Sequence, residues 1–291
     1  MIWKKEKSPE QQEKERQREI DKEIHNSAEE KKDGTKTHGE VLRDQITDAL
    51  KTYDKNSSSI LLSSLTAGME IGFSYLLLAT LFYFLEGKMA EDSIFKMIAL
   101  VYPMGFILVV LGQSILFTEQ TALLTLPVLN KKRTPLSMLK LWGLVISGNL
   151  VGGYFIGLLL VWLGPRLEIF DLHVIETIAL HVLKAEIHVI FVSAMVAGWL
   201  MGLLSWLLAS VRDTVSQIVI IFLITSVLSF ASLHHSIIGN IEVFTGMISS
   251  EQIHLMDYLS FQSTALVGNA FGGAIFVALL KYRAFVFNIG K

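Results

Sequence analysis

One apolar run, from Thr214 to Met247, limits what this chain can fold into. As a straight helix it would measure on the order of 50 Å. A bilayer core is only about 30 Å thick. The run is too long for one simple span and too short for two spans with a loop. Two adjacent histidines, His234 and His235, sit in its middle. A helix broken near them resolves the mismatch. Broken helices leave backbone groups free, which is tolerated at membrane depth only where they line a cavity or are buried in protein. The polar break is therefore a candidate transport site.

Composition supports a membrane body with a charged head. Of 291 residues, 52% are hydrophobic, and the mean hydropathy is +0.49, too apolar for an average water-soluble globule. Residues 1–55 hold 13 of the 25 Lys and Arg and 14 of the 27 Asp and Glu. A net charge of -2 leaves no nucleic-acid footprint. The absence of cysteine excludes disulfides, thiolate metal sites and Cys nucleophiles. No apolar core follows Met1, so the N-terminus does not read as a signal peptide.

Residues 1–36 read as a charged, disordered cytoplasmic tail, with a solvated helix as the alternative. The segment 37–56 opens with capping-box spacing at Thr37 and Glu40. Val41, Leu42, Ile46, Ala49, Leu50 and Tyr53 then form one stripe. This fits an amphipathic helix either lying on the membrane or packed on the body. The body covers 57–285, and 286–291 form a short cytoplasmic C-terminus.

Six spans are expected, near 58–85, 93–129, 136–163, 185–209, 214–247 and 258–281, with a polar linker from Gly164 to Lys184. The second span shares the length problem of the fifth and is expected to break around 112–121. Ala-Gly-x-x-x-Gly occurs at Ala67–Gly72 and Ala197–Gly202, and Gly-Asn-x-x-Gly-Gly at Gly148–Gly153 and Gly268–Gly273. The motifs and breaks fall in the same order in each half. An odd number of spans per half inverts the second half in the membrane, giving a 3+3 inverted repeat. With the N-terminus inside, inner segments hold Lys131, Lys132, Arg133, Lys140, Arg212, Lys281, Arg283 and Lys291; outer ones hold Lys88, Lys96, Arg166 and Lys184. That bias places both termini in the cytoplasm.

These residues resemble the formate/nitrite transporter family over roughly 60–283. The likeness rests on Ala67-Gly68, Gly112 with Leu116-Phe117-Thr118, the Ser147–Gly153 run, Trp206, His235-Ser236 and the second Gly-Asn-x-x-Gly-Gly motif. The charged head and the Phe117–Thr121 sequence look like a divergent bacterial branch of that family. The resemblance implies an all-α, aquaporin-like fold with the second and fifth helices broken, and a homopentamer in the bacterial inner membrane. It also implies that His235 is the central pore histidine, that Thr118 faces it and that Asn269 fixes the region. Lys184 falls near the family's vestibule lysine, and His234 stands where the family usually has Glu. Tyr102, Phe106, Phe117 and Leu228 fall where hydrophobic constrictions would lie. Gly198 replaces a usual Asn.

The chemistry expected is transport of small monovalent weak-acid anions such as formate, nitrite, hydrosulfide or short carboxylates. An anion is costly to desolvate in a narrow apolar pore, and a weak acid avoids the cost by crossing neutral. A histidine titrates near neutral pH, so His235 is expected to confer pH dependence, with protons as partners. Helix N-termini at the breaks attract anions, and Lys184 would concentrate them. Glu70, Glu119 and Glu242 are either proton carriers or interior structural groups. They keep open the alternative of a neutral-solute channel or a proton or cation pathway. No cofactor, metal site or catalytic residue is expected: zinc, nucleophile-elbow and phosphate-loop motifs are all missing.

Overall fold

The computed structural model describes residues 8–26 and 36–289. Parts of the tail expected over 1–36 (1–7 and 27–35) and the last two residues lie outside the described residues.

Among the described residues every regular element is a helix. The head supplies α1 (Pro9–Asn26) and α2 (His38–Asp54). The first half of the body is α3 (Ser57–Leu85), a second element in pieces, and α7 (Pro135–Leu163). The pieces are α4 (Glu91–Met97), a tight turn of 3-10 helix, α5 (Pro103–Leu111) and α6 (Phe117–Leu129). The connector contains α8 (Leu172–Leu183). The second half is α9 (Ile187–Ser210), then α10 (Thr214–Phe230) and α11 (Ser236–Ser249), then α12 (Leu255–Phe271). A wider-wound π segment, Gly272–Leu279, leads from α12 into α13 (Leu280–Ile289). Five stretches are long and apolar enough to cross a membrane: 57–85, 91–111, 135–163, 187–210 and 255–287. The α10–α11 pair makes the sixth element in two shorter pieces.

Both breaks fall in the expected elements and share one backbone device. The chain turns through a left-handed residue, Gln113 (φ 58) in the first half and Ser232 (φ 52) in the second. Helix then resumes at Phe117 and at Ser236. The first break is narrower than the 112–121 expected, because Phe117 to Thr121 already belong to α6.

The small-residue motifs act by contact. A Cβ on Gly68 would overlap the Asn149 carbonyl oxygen, and one on Gly198 the Asn269 carbonyl oxygen. Thus α3 seats on α7 as α9 seats on α12, with backbones touching. The inverted repeat is visible in these matched contacts.

Two expectations change. The linker over 164–184 contains a helix, α8, capped by the Asp171 carboxylate accepting from Val174 N–H at 3.0 Å. Val174, Ile175, Ile178 and Ala179 are buried along one side of it. Residues 9–26 of the expected tail are also helical. Ile20 and Ile24 are buried in a cluster with Val286, and Gln17 donates to Asn130 Oδ1 at 2.7 Å. Asp21 pairs with Lys132 at 3.3 Å, and Glu13 with Lys131. A four-residue rhythm of Ile20 and Ile24 puts both on one helix face, which the surrounding charge concealed. In α2, Val41, Leu42, Ile46 and Ala49 are buried. Gln45 donates to the Ser205 carbonyl at 3.0 Å and Tyr53 to the Leu124 carbonyl at 2.9 Å. That stripe therefore faces protein.

Candidate functional site

The two breaks bring the starts of α6 and α11 together. Each is held by one asparagine. Asn149 Oδ1 accepts from Phe117 N–H at 2.8 Å, and its amide donates to the carbonyls of Ser64 and Ile115 at 2.7 and 2.9 Å. Asn269 Oδ1 accepts from Ser236 N–H at 2.8 Å, and its amide donates to Ala194 and His234 carbonyls at 2.7 and 3.1 Å. Free helix-end groups buried at this depth need such partners. One Asn per half supplies both an acceptor and two donors.

His235 is the N-cap of α11 and is 2% exposed. Its Nδ1 accepts from Ile237 and Ile238 N–H at 3.3 and 3.5 Å. Its Nε2 lies 2.8 Å from Thr118 Oγ1, on the first turn of α6. Backbone N–H groups only donate, so Nδ1 is the acceptor. The ring hydrogen is therefore on Nε2, donated to Thr118. Phe106 meets the same ring edge-on at 5.1 Å.

His234 points elsewhere. Its Nδ1 is 2.8 Å from Ser193 Oγ and its Nε2 is 3.1 Å from the Val182 carbonyl. The carbonyl fixes Nε2 as donor and leaves Nδ1 to accept from the serine hydroxyl. His234 thus ties α9 and the end of α8 to the break.

A cavity of about 390 Å³ opens on one side of His235. Lys184, His181, His234, Glu242 and Tyr102 line it. Lys184 caps the C-terminal end of α8, and among the described residues no carboxylate pairs with it. His181 stacks on Phe95 with ring centres 3.6 Å apart. Sequence reasoning singled out neither His181 nor Ser193. The first was legible as a residue one turn before Lys184, had α8 been read as a helix. The second carried no signal.

The remaining residues separate. Tyr102 stacks on Phe106 at 5.4 Å, on the His235 side. Phe117 packs edge-on against Trp142 at 5.8 Å. Leu228 is fully buried, just before the second break. The three carboxyls do not converge. Glu242 is on the cavity wall, Glu70 bonds Ser114 beside the first break, and Glu119 sits in the first turn of α6 away from the cavity. Among the described residues no group of three or more His, Cys, Asp or Glu could hold a metal ion.

The chain matches the family model described as Formate/nitrite transporter over residues 39–283. It belongs to that family. It is similar to "Inner membrane protein YfdC" of Escherichia coli (strain K12), with 27% identity over 241 residues, covering 81% of this chain and 74% of that one. It is also similar to "Formate channel BtFdhC" of Bacillus thuringiensis, with 27% identity over 186 residues, covering 64% and 71%. Among solved structures, an "FNT family ion channel" overlays with a TM-score of 0.76 at 23% identity, covering 84% of this chain and 98% of that one. A "Pentameric formate channel with formate bound" overlays at 0.69 and 18%, covering 79% and 98%. Those two share the aquaporin-like fold. This formate/nitrite transporter family member is a membrane protein of a channel and transporter family, not of an enzyme family.

Proposed function

We propose that this protein conducts small monovalent weak-acid anions, formate and nitrite among them, through a pore that passes His235 and Thr118. The observation that carries the proposal is the meeting of the α6 and α11 N-termini beside a cavity holding an unpaired Lys184. Helix N-termini carry a partial positive charge and favour anions. The Nε2–H of His235 is donated to Thr118, which turns the threonine hydroxyl hydrogen out as the donor for a passing ion. Tyr102 and Phe106 form an apolar passage beside it, which rejects a hydrated ion and admits a neutral acid.

The same proposal takes the homopentamer of the formate channel with the same fold as the working assembly, and both termini as cytoplasmic on the Lys and Arg bias. Proteoliposome uptake of formate, nitrite, acetate, lactate and hydrosulfide tests it. Saturable or pH-dependent flux of one or more is expected, and none for any would reject it. Glu242 on the cavity wall favours a second reading, a proton or cation pathway. Planar-bilayer currents separate the two: a proton or cation pathway carries a current that reverses at the cation's equilibrium potential, whereas passage as a neutral acid carries none.

A further inference from the structure

His235 stands where a proton would be wanted, but its ring has no nitrogen to spare. A proton added at Nδ1 would aim a donor at the Ile237 and Ile238 N–H groups. That would remove the α11 cap and oppose the partial positive charge of a helix N-terminus. If a weak acid is to cross neutral, another group must supply the hydrogen.

Glu242 lies seven residues on, about two turns along α11, and lines the same cavity. Among the described residues nothing hydrogen-bonds or ion-pairs its carboxyl. Tyr75 from α3 and Tyr102 both lie within its electrostatic reach. Tyr75 is engaged with Thr245 at 2.7 Å. From α8, His181 and Lys184 face the cavity, and Glu176 is tied to Ser250. From α12, Tyr258 donates to Asn240 at 2.6 Å and meets Tyr154 of α7 at 2.5 Å. Across the break, Glu119 of α6 is off the cavity wall. Among the described residues Lys184, just past the C-terminal end of α8, is thus the one ammonium lining this cavity. Ionised, Glu242 would repel the anions that Lys184 gathers; protonated, it offers them an O–H.

We propose that Glu242 hands its proton to the incoming anion, a step that rests on the anion pathway proposed above. The O–H bond of the neutral Glu242 carboxyl breaks and a bond to hydrogen forms on the anion, leaving a carboxylate and a neutral acid. The acid passes the His235–Thr118 pair and the rings of Phe106 and Tyr102, and gives its proton to water on the far side. Glu242 regains a proton from water in the cavity. One anion and one proton cross together.

Formate uptake into proteoliposomes carrying an internal pH dye tests this. Wild-type uptake, with internal acidification, should rise as external pH falls from about 8 to about 5, because the step uses the protonated carboxyl. E242Q should lose about tenfold of uptake at the acid end and show a flat pH profile, while E242D keeps the slope. E242Q with the wild-type profile overturns the proton step alone. Wild type moving no formate, nitrite or hydrosulfide overturns the anion pathway itself. Should E242Q not assemble, infrared difference spectra of wild-type vesicles across the same pH steps read the same carboxyl. A protonated C=O band lost on adding formate supports the step, and its absence overturns it.

Discussion

Leu116 and His235 hold the same place in the two halves, each the N-cap of the helix that follows a break, yet only His235 closes its helix with a side chain. His235 therefore has a structural duty as well as a place in the pore, and two substitutions divide them. Asn is a good N-cap and Ala is not, a difference of about 0.5–2 kcal/mol. H235N should assemble with nearly wild-type thermal stability but reduced flux. H235A should lose both. Equal melting temperatures for the two variants in detergent would show that the cap contributes nothing.

Asn269 holds Ser236 N–H and two carbonyls in a fully buried place. N269D keeps an acceptor but loses both donations, leaving the carbonyls of Ala194 and His234 short of a partner and a charge buried. Each orphaned buried group costs about 1–3 kcal/mol. N269D should lower the melting temperature sharply, and N149D should match it through Ser64 and Ile115. A stable N269D would mean that water replaces the amide.

The head makes its own pH prediction. The Thr37 backbone N–H donates to Glu40 at 2.7 Å, and with the Thr37 hydroxyl it holds the Glu40 carboxyl below its ordinary range. A depressed carboxylate contributes stability that is complete above its unfolded pKa, about 4.3. That contribution fades as pH falls through the folded value. Protection of α2 amides, corrected for intrinsic exchange, should therefore fall in acid. E40Q should flatten the change.

Lys184 should matter through charge at a distance. K184Q should lower uptake several-fold at low salt and remove most of its dependence on ionic strength, because exposed charges are screened over about 10 Å at 0.1 M. Initial rates across a salt series measure both. Equal salt slopes in K184Q and wild type would remove Lys184 from anion gathering.

The architecture was legible where spacing carries geometry. A run too long for one span located the second break, and paired Gly motifs located the helix contacts, because backbones can touch only where no Cβ intervenes. Thr118, His235 and Asn269 followed from the family resemblance, and the structure brings them together. What the sequence hid were docked amphipathic pieces. In α1 charge outnumbers Ile20 and Ile24, and α8 lies in the stretch from Gly164 to Lys184 that reads as a polar linker. The tautomer of His235 was invisible too, since it is set by the N–H groups of Ile237 and Ile238 rather than by any neighbouring side chain.

The wall bearing Lys184 and His181 belongs to α8, a 12-residue connector joining the halves rather than one of the paired elements. Those elements are locked by glycine and asparagine contacts that tolerate little change. The connector is free of most of them. A protein built this way can alter what gathers at its doorway by rewriting a short joint while its frame stays untouched.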